Sequence, residues 1–376
     1  MSSAWQTKSF EDCIEKVTYT TKIQRKDFLD DGAYPIVSQE DAFINGYWND
    51  EADLFEVATP VVVFGDHTKV LKYVDFDFVL GADGVKVLRP CDFLAPKFFY
   101  YQLRAANLDS LGYARHYKLL KELAVVFPSL TDQQRIVGIL DEAFAGIATA
   151  KANAEKNLQN ARALFSALRQ ALFPHDANVP ADHSLDELSE LIVDCEHKTA
   201  PTEDRGIPSI RTPNIGNGQL LLEGVYRVSE ETYKKWTRRA EPQPGDLILA
   251  REAPAGNVAV VPKGLRVCLG QRTVLIRPKK DIFESAYLAH LLLQANSQRR
   301  LLAHSRGATV QHINMKDIRA FKIAELPSLD EQRAVVAKLE DLIAQEGKLA
   351  SIYGAKLAAL DALKQSLLHQ AFSGGL

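Results

Sequence analysis

Several features that would place this chain in a common protein class are absent from its sequence. Its 376 residues include only four cysteines, with no C-x-x-C pair, which argues against a zinc ribbon or a disulfide scaffold and favours ordinary thiols. No apolar run reaches about 18 residues, and the first residues lack a basic, apolar leader. We therefore expect a cytoplasmic protein with no membrane partner.

Motifs of catalysis are also missing. The sequence contains no Asn/Asp-Pro-Pro-aromatic tetrapeptide, no G-x-x-x-x-G-K-[ST] phosphate loop and no G-x-G-x-x-G fingerprint. We expect no catalytic residue, no metal and no cofactor in this chain.

An excess of positive charge is absent as well. The net charge is -3, and basic residues outnumber acidic ones only within residues 181–326. Because phosphate neutralisation requires Lys and Arg, this balance argues against a free-standing, tight, non-specific DNA binder. It leaves room for a DNA reader whose partners supply much of the phosphate contact.

What the sequence does contain is an internal repeat. PSLTDQQRIVGIL begins at Pro128 and PSLDEQRAVVAKL begins at Pro327, and the two align without a gap at an offset of 199 residues. The alignment continues for about thirty further positions, to Phe173 and Phe372. Such self-similarity indicates two copies of one structural element.

Each copy is predicted to be a long helix of roughly 40 residues, or about 60 Å. Capping and acidic residues follow the proline, where the helix dipole favours them. Apolar residues then recur every seven positions, a pattern typical of a coiled coil. The predicted stripes are Leu140, Ile147, Ala154, Ala161 and Leu168 in the first copy, and Leu339, Leu342, Leu349, Tyr353, Leu360, Leu363 and Leu367 in the second.

A second surface on these helices is a candidate partner interface. Small residues outside the stripe, including Ala143, Gly146 and Ala150, would let the helices of another chain approach closely. Gln133 and Gln332, which occupy the same position of the two PSL-x-x-Q openings, are further partner-binding candidates. Packing of the two helices on each other explains the stripe itself.

The repeat extends into the regions before each helix. PVVVF from Pro60 and VLGADGVKVLRP from Val79 are matched by PGDLILA from Pro244 and CLGQRTVLIRP from Cys268. Short β-branched runs between Gly, Pro and Asp turns, with helices expected over 97–106 and 285–303, predict mixed α/β domains. The expected organisation is α+β, with domains at 1–127 and 175–326 and long helices at 128–174 and 327–376.

This pattern resembles the specificity subunit of Type I restriction-modification systems across essentially the whole chain. The motifs that carry the resemblance are the two PSL-x-x-Q openings, the stretches that begin at Gly112 and Gly307, PGDLILAREA from Pro244 and DCEHKTAP from Asp194. The resemblance implies two target-recognition domains, each reading half of a split asymmetric site in double-stranded DNA. It implies a pseudo-twofold repeat in which the two helices pack as an antiparallel coiled coil and space the domains.

The resemblance also implies partners and their cofactors. Two methylation subunits would dock on the helices, and restriction subunits that combine motor and nuclease would join the restricting complex. S-adenosylmethionine, and ATP with magnesium, would then be bound by those partners. Two readers on a rigid spacer would reach half-sites about one turn of B-DNA apart, roughly 34 Å.

Candidate DNA contacts follow from residue type and position. Arg and Lys can donate to guanine O6 and N7, Gln can pair with adenine, and Lys often meets phosphate alone. The candidates in the first half are Lys22, Gln24, Arg25, Lys26, Arg115, His116 and Lys118. In the second half they are His197, Lys198, Thr199, Arg211, Asn214, Arg251, Gln271, Arg272, Arg306, Thr309, Gln311 and His312.

Some of these assignments have ordinary alternatives. The polar stretch from Lys22 to Lys26 is equally consistent with a solvated loop, and His197 with a turn-stabilising role. A predicted helical face with Lys234, Lys235, Arg238 and Arg239 is either a phosphate track or a solvated surface.

Other functions also stay open at this stage. The chain could be a nuclease or methyltransferase with a cryptic site, or a coiled-coil scaffold whose globular halves bind proteins. A specificity subunit of a related methyltransferase-guided system without a separate motor subunit is a further alternative.

Overall fold

The computed structural model describes residues 5–106, 108, 115–173, 183–303, 312–323 and 326–373. The chain forms two compact units. Unit 1 comprises residues 1–157 and 352–376, and unit 2 comprises residues 158–351. The boundary therefore runs through both long helices, so that each unit contains a part of both helices.

Most elements of unit 1 precede or begin the first long helix, and the last part of the second long helix also belongs to it. Its strands are β1 (Gln6–Ser9), β2 (Ile14–Glu15), β3 (Lys22–Ile23), β4 (Tyr34–Val37), β5 (Gly46–Trp48), β6 (Leu54–Phe55), β7 (Val61–Gly65), β8 (Leu71–Val74), β9 (Phe78–Gly81), β10 (Val85–Pro90) and β11 (Ala124–Phe127). Its helices are α1 (Pro96–Ala105), α2 (Tyr117–Lys121) and the first part of α3 (Leu130–Ala171).

Unit 1 is built on a four-stranded sheet with the order β2-β10-β7-β8. The strand β7 is a β-branched run whose five residues are all buried, as expected of a central strand. A second sheet has the order β3-β9-β4-β5, and β1 pairs with β11. The aromatic residues of α1 pack on the first sheet, and Leu368 and Ala371 of the C-terminal helix complete the same core.

The elements of unit 2 follow in the same sequence. Its strands are β12 (His183–Ser184), β13 (Ser189–Asp194), β14 (Ile207–Ile210), β15 (Arg227–Val228), β16 (Leu247–Ala250), β17 (Val258–Val260), β18 (Cys268–Leu269), β19 (Thr273–Pro278) and β20 (Lys322–Ile323). Its helices are α4 (Glu230–Trp236), α5 (Ser285–Leu292), α6 (Ala295–Leu302), α7 (Met315–Arg319) and the first part of α8 (Leu329–Phe372).

The sheets of unit 2 repeat those of unit 1. The four-stranded order β13-β19-β16-β17 matches β2-β10-β7-β8, β12 pairs with β20 as β1 pairs with β11, and the parallel pair β14 and β18 matches β3 and β9. Leu339 of α8 and Phe173 after α3 lie in the core of unit 2. The strand order thus agrees with the duplication that the sequence predicts.

The long helices begin at the predicted positions. The hydroxyls of Ser129 and Ser328 accept from the backbone N–H groups of Asp132 and Glu331, and each serine also donates to the following carboxylate. These contacts satisfy amide groups that the first helical turn leaves unpaired. The helices α3 and α8 contain 42 and 44 residues, close to the predicted length.

Contacts between α3 and α8 occur in both units. In unit 1 Lys151 pairs with Asp361 at 2.7 Å, and in unit 2 Arg169 pairs with Glu346. The buried positions Leu140, Ile147 and Ala154 agree with the predicted stripe. Leu168 and Leu363 are exposed instead, because the neighbouring Arg169 and Lys364 occupy the positions that face the other helix.

Gln133 and Gln332 are fully buried, which corrects their assignment as partner contacts. The side chain of Gln133 accepts from Ala95 N and donates to Phe93 O and Pro128 O, at 2.8–3.0 Å. Gln332 makes the same three bonds, to Glu284 N, Ile282 O and Pro327 O, each at 2.9 Å. Each glutamine therefore ties the start of a long helix to the start of α1 or α5.

Two predicted helices differ from those observed. The helix expected over 285–303 is divided into α5 and α6, because the backbone of Gln294, at the N-cap position of α6, is extended. The helix α4 ends at Trp236, so Arg238 and Arg239 do not extend its face as predicted. Among the described residues no helix has the length and apolar character needed to cross a membrane.

Candidate nucleic-acid interface

One edge of each unit gathers the ends of several strands. In unit 2, Arg251 directly follows β16, and its N–H donates to the carbonyl of Arg272 in the turn between β18 and β19. Ile313 N donates to Arg251 O, and Gly270 N donates to Ile210 O at the end of β14. Four segments, at Ile210, Arg251, Gly270 to Arg272 and Ile313, therefore meet here.

Unit 1 makes the same edge with the same backbone bonds. Asp66 N donates to Gly84 O, His116 N donates to Asp66 O, and Ala82 N donates to Ile23 O. The turns that join β9 to β10 and β18 to β19 both contain three residues. Asp66 therefore occupies the position of Arg251, and Gly84 that of Arg272, so the two edges share a backbone and differ in charge.

The edge of unit 2 carries six polar side chains joined in a row, which we call the polar chain: His197, Asp194, Arg251, His312, Glu252 and Arg272. Asp194 Oδ2 lies 3.3 Å from His197 Nε2 and 2.7 Å from Arg251 Nη1. Arg251 Nη2 lies 2.9 Å from His312 Nε2. Glu252 lies 2.8 Å from both His312 Nδ1 and Arg272 Nη1.

Donor and acceptor chemistry assigns the protons within the polar chain. A guanidinium only donates, so His312 Nε2 must accept from Arg251. His312 Nδ1 then carries the proton and donates to Glu252. This arrangement fits a neutral imidazole held between an arginine and a carboxylate.

Arg251 is a structural member of the polar chain, which corrects its assignment as a DNA contact. It is 8% exposed, and its Nε donates to Ile313 O at 2.9 Å while its two terminal nitrogens meet Asp194 and His312. Each of its three side-chain nitrogens therefore contacts a residue of the same unit. The exposed members are His197 and Arg272, whose side chains are 69% and 61% accessible.

Other predicted contacts of unit 2 lie beside the polar chain. Arg211 packs over the ring of Tyr226 at 5.2 Å, and both line a cleft of about 300 Å³ together with Thr199 and Gln271. Asn214 accepts from Arg211 N and donates to Leu221 O, so its amide shapes this loop. Lys198 is exposed nearby in sequence. Arg306, Thr309 and Gln311 lie outside the described residues.

The predicted contacts of unit 1 are more dispersed. Gln24 occupies the N-cap position of a one-turn helix (Arg25–Asp27) after β3, as Arg211 does for Thr212–Asn214 after β14, and Lys26 within the first of these turns is exposed. Arg25 is 78% exposed and pairs with Glu40 at 2.9 Å. Lys22 donates to Val85 O, and burial lowers its pKa.

The segment before α2 divides into exposed and buried residues. Arg115 and Lys118 are exposed, in agreement with a surface role. His116 is 1% exposed, and its Nδ1 lies 3.0 Å from Asp66 O, which corrects its assignment as a DNA contact. It belongs to the packing that fixes the edge of unit 1.

Residue types alone did not identify Asp194, Glu252, Asp66 or Lys72 as parts of these edges. Asp194 and Glu252 stand within DCEHKTAP and PGDLILAREA, but their pairing with distant histidines and arginines is a tertiary property. Lys72 is buried beside the loop of residues 39–45, and its Nζ donates to Ala42 O and to Asn45 Oδ1. The part of the chain that the structure describes contains no group of three or more His, Cys, Asp or Glu side chains that could hold a metal ion.

The buried Lys72 predicts a pH dependence of stability. Burial lowers the pKa of Lys72 from 10.5 to about 8. Between these values the unfolded chain binds more protons than the folded one, so the free energy of unfolding of unit 1 should rise as pH increases from 8 to 10.5. Denaturant unfolding at several pH values should show this rise in the wild type and a smaller one in Lys72→Met. The exposed-site variant Lys118→Met should keep the wild-type slope, and an unchanged slope in Lys72→Met would contradict the prediction.

Comparison with known proteins gives one consistent result. The sequence model of the family described as the Type I restriction modification DNA specificity domain matches residues 2–159 and, a second time, residues 185–352. The chain is 25% identical over 349 residues to the EcoR124I/EcoR124II specificity subunit of a Type I restriction enzyme from Escherichia coli, an alignment covering 87% of this chain and 84% of that subunit. It is also 25% identical over 314 residues to the EcoBI specificity subunit from Escherichia coli, covering 74% of this chain and 65% of the relative.

Two solved structures share the fold. A chain from a study of complex assembly and conformational transition of the type I R-M system aligns with a TM-score of 0.72 at 18% identity, covering 99% of this chain and 98% of the other. The HsdS subunit from Thermoanaerobacter tengcongensis aligns with a TM-score of 0.57 at 19% identity, over 99% and 97% of the two chains. Two consecutive family matches accompany the two equivalent edges.

Proposed function

The chain belongs to the family of Type I restriction modification DNA specificity domains, and on this premise we propose that it recognises the DNA sequence for a Type I restriction-modification complex. Each unit reads one half of a bipartite, asymmetric site in double-stranded DNA. The observation that carries this proposal is the pair of equivalent edges, which share backbone hydrogen bonds and carry different side chains. A common backbone with different side chains suits two readers of different half-sites.

The exposed polar residues of each edge are the proposed DNA contacts. In unit 2 these are His197, Lys198, Thr199, Arg211, Gln271 and Arg272, with the half-buried Asn214 and His312 beside them and Arg306, Thr309 and Gln311 following from the sequence alone. In unit 1 they are Gln24, Arg25, Lys26, Arg115 and Lys118, and the partly buried Lys22, which donates to Val85 O, is proposed beside them. Arginines and glutamines can contact base edges, whereas the lysines more often meet phosphate.

The helices α3 and α8 are proposed to form an antiparallel coiled coil that sets the spacing of the half-sites. The ion pairs between Lys151 and Asp361, and between Arg169 and Glu346, support this, since the later residue of α3 pairs with the earlier residue of α8. In this interpretation the recognition domains span 1–127 and 175–326, related by a pseudo-twofold repeat. The intervening helices at 128–174 and 327–376 serve as spacer and docking surface.

The chain itself is proposed to perform no catalysis. Two methylation subunits would use S-adenosylmethionine, and restriction subunits would use ATP with magnesium, all in the cytoplasm. A specificity subunit of this kind selects the DNA sequence, and its partners catalyse the reactions. The purified chain should neither cleave nor methylate DNA.

Mapping of modified bases tests the proposal. DNA from cells that express the chain with its methylation partner should carry modification at a bipartite motif with a fixed gap. A continuous palindromic motif, or modification without sequence preference, would contradict the assignment. Substitutions at Arg25 and Arg272 should each alter one half of the motif only.

A single glycine tests the proposed docking surface. Gly146 in α3 is exposed with open space around its Cα, whereas Ala143 and Ala150 are half-buried. Gly146→Ala should stabilise the chain by about 0.5–1 kcal/mol, because alanine favours the helix, and should weaken binding of the methylation subunit by filling the space it approaches. Thermal unfolding and titration with the partner measure the two effects.

Gly354→Ala in α8 is the matched control. Gly354 is also a helical glycine with open space around it, so this variant should gain the same stability; because α8 also belongs to the proposed docking surface, it controls for stability alone. Equal affinities for Gly146→Ala and the wild type would remove Gly146 from the docking surface.

A further inference from the structure

The polar chain of unit 2 is exposed at its two ends and largely enclosed between them. Arg272 and His197 are accessible to solvent, whereas Arg251, Asp194 and Glu252 have side chains that are 10%, 16% and 18% exposed. Every neighbouring pair in the chain lies within 3.3 Å. The inner residues therefore fix the outer ones in position.

Arg272 adopts a backbone conformation that arginine rarely occupies. Its φ is 66°, in the left-handed region, and the equivalent Gly84 of unit 1 has a φ of 76°. A glycine adopts this conformation without strain, whereas a residue with a Cβ does not. The turn of unit 2 thus holds a long cationic side chain at a position where the backbone favours glycine.

Glu252 is the residue that receives this side chain. One carboxylate oxygen accepts from Arg272 and the other from His312, which is itself held by Arg251. Because His312 is hydrogen-bonded to Glu252, the Glu252 carboxylate has a fixed position at the edge. The guanidinium of Arg272, at 61% exposure, retains donors that face solvent.

Fixed negative charge at this place has an electrostatic consequence. A phosphate group that approached Arg272 would also approach the Glu252 carboxylate, and like charges repel at such distances. A guanine edge carries no net charge and presents O6 and N7 as acceptors in the geometry that an arginine fork matches. The carboxylate therefore disfavours phosphate at Arg272 while leaving base contact open.

We infer that Glu252 is a positioning residue that determines specificity in unit 2: it orients Arg272 toward a guanine edge and rejects phosphate at the same guanidinium. This inference rests on the proposed function, since it concerns how one edge reads DNA. Unit 1 has no arginine at the equivalent position of its turn, where Gly84 replaces Arg272 and Asp66 replaces Arg251.

The variant Glu252→Gln tests this inference in the complete chain assembled with its methylation subunit. Glutamine keeps the size and an acceptor for His312 but removes the charge. Discrimination at one base pair of one half-site should fall by about 10- to 100-fold, the range expected for one bidentate contact. The slope of log K against log salt for non-specific DNA should become steeper by about 0.9, since one more phosphate is neutralised. The other half-site should be read as before.

The variant Arg272→Gly separates recognition from folding. It installs the residue that unit 1 carries at this turn, so its melting temperature should equal or exceed that of the wild type. It should nevertheless lose discrimination at the same base pair as Glu252→Gln. Full discrimination in Arg272→Gly would overturn the inference even if Glu252→Gln failed to fold.

Glu230→Gln is the matched control. Glu230 pairs with Arg266 at 2.8 Å in the same unit, with both side chains exposed, so the variant removes the same charge away from the polar chain. Its motif and salt slope should equal those of the wild type. A wild-type complex without sequence preference would contradict the proposed function, whereas a specific wild type with an unchanged Glu252→Gln motif and salt slope would contradict only the inference.

Discussion

Gln133→Ala is expected to lower the free energy of unfolding of unit 1 by about 3–5 kcal/mol. The substitution leaves Ala95 N, Phe93 O and Pro128 O without the partner that Gln133 provides. A buried backbone group that loses its hydrogen bond costs about 1–3 kcal/mol. Since the free energy of unfolding of a domain is about 5–15 kcal/mol in total, this one side chain accounts for a large part of it.

Chemical denaturation of the purified chain measures the effect, and Gln134→Ala is its control. Gln134 is the next residue on the same helical turn and is exposed, so its replacement should change stability by less than about 0.5 kcal/mol. Gln332→Ala should reproduce the large loss in unit 2, because Gln332 makes the same three bonds. Comparable stabilities for Gln133→Ala and Gln134→Ala would contradict the structural role of the buried glutamine.

Asp246→Ala is expected to destabilise unit 2 by about 3–5 kcal/mol. Asp246 and Arg277 are 3% and 12% exposed, and the guanidinium donates through Nε and Nη2 to the two carboxylate oxygens at 2.8 Å. Removing one partner of a buried ion pair leaves an uncompensated charge, and the cost is about 3–5 kcal/mol. The pair joins β16 to β19 at the ends opposite Arg251 and Arg272, so DNA reading by unit 2 should fail as well.

The exposed pair of Glu230 and Arg266 provides the contrast. Both side chains are more than half exposed, and Glu230→Ala should change stability by about 1 kcal/mol or less. The double variant Asp246→Ala/Arg277→Met should recover part of the loss, because it removes the unpaired charge. Equal losses for Asp246→Ala and Glu230→Ala in urea denaturation would refute the argument from burial.

The repeat in the sequence predicted the order of elements and most of the helical stripe. Local patterns suffice for this, since β7 and β16 are continuous apolar runs and Ser129 and Ser328 stand at capping positions. The exceptions are Leu168 and Leu363. Each lies one residue from the position that faces the other helix, and a heptad count cannot register that the charged neighbour forms the contact.

The types of residue at the candidate site were predictable from the sequence, whereas the role of each residue was less so. Arg251 and His116 were predicted to contact DNA, but both are buried, and their burial depends on segments far apart in sequence, at Ile313 and Asp66. The same limitation concealed Glu252, whose partners His312 and Arg272 lie on two other segments. A polar residue beside a strand has the same appearance in sequence whether it faces DNA or supports a neighbour that does.

The course of the two long helices through both units has a consequence for synthesis of the protein. The core of unit 1 contains Leu368 and Ala371, which the ribosome adds after all of unit 2. Among the described residues the buried core of unit 2 extends only to Leu339, so it is synthesised before the last core residues of unit 1. Unit 1, which is synthesised first, is thus completed last. A chain truncated before residue 368 would lack Leu368 and Ala371 from the core of unit 1.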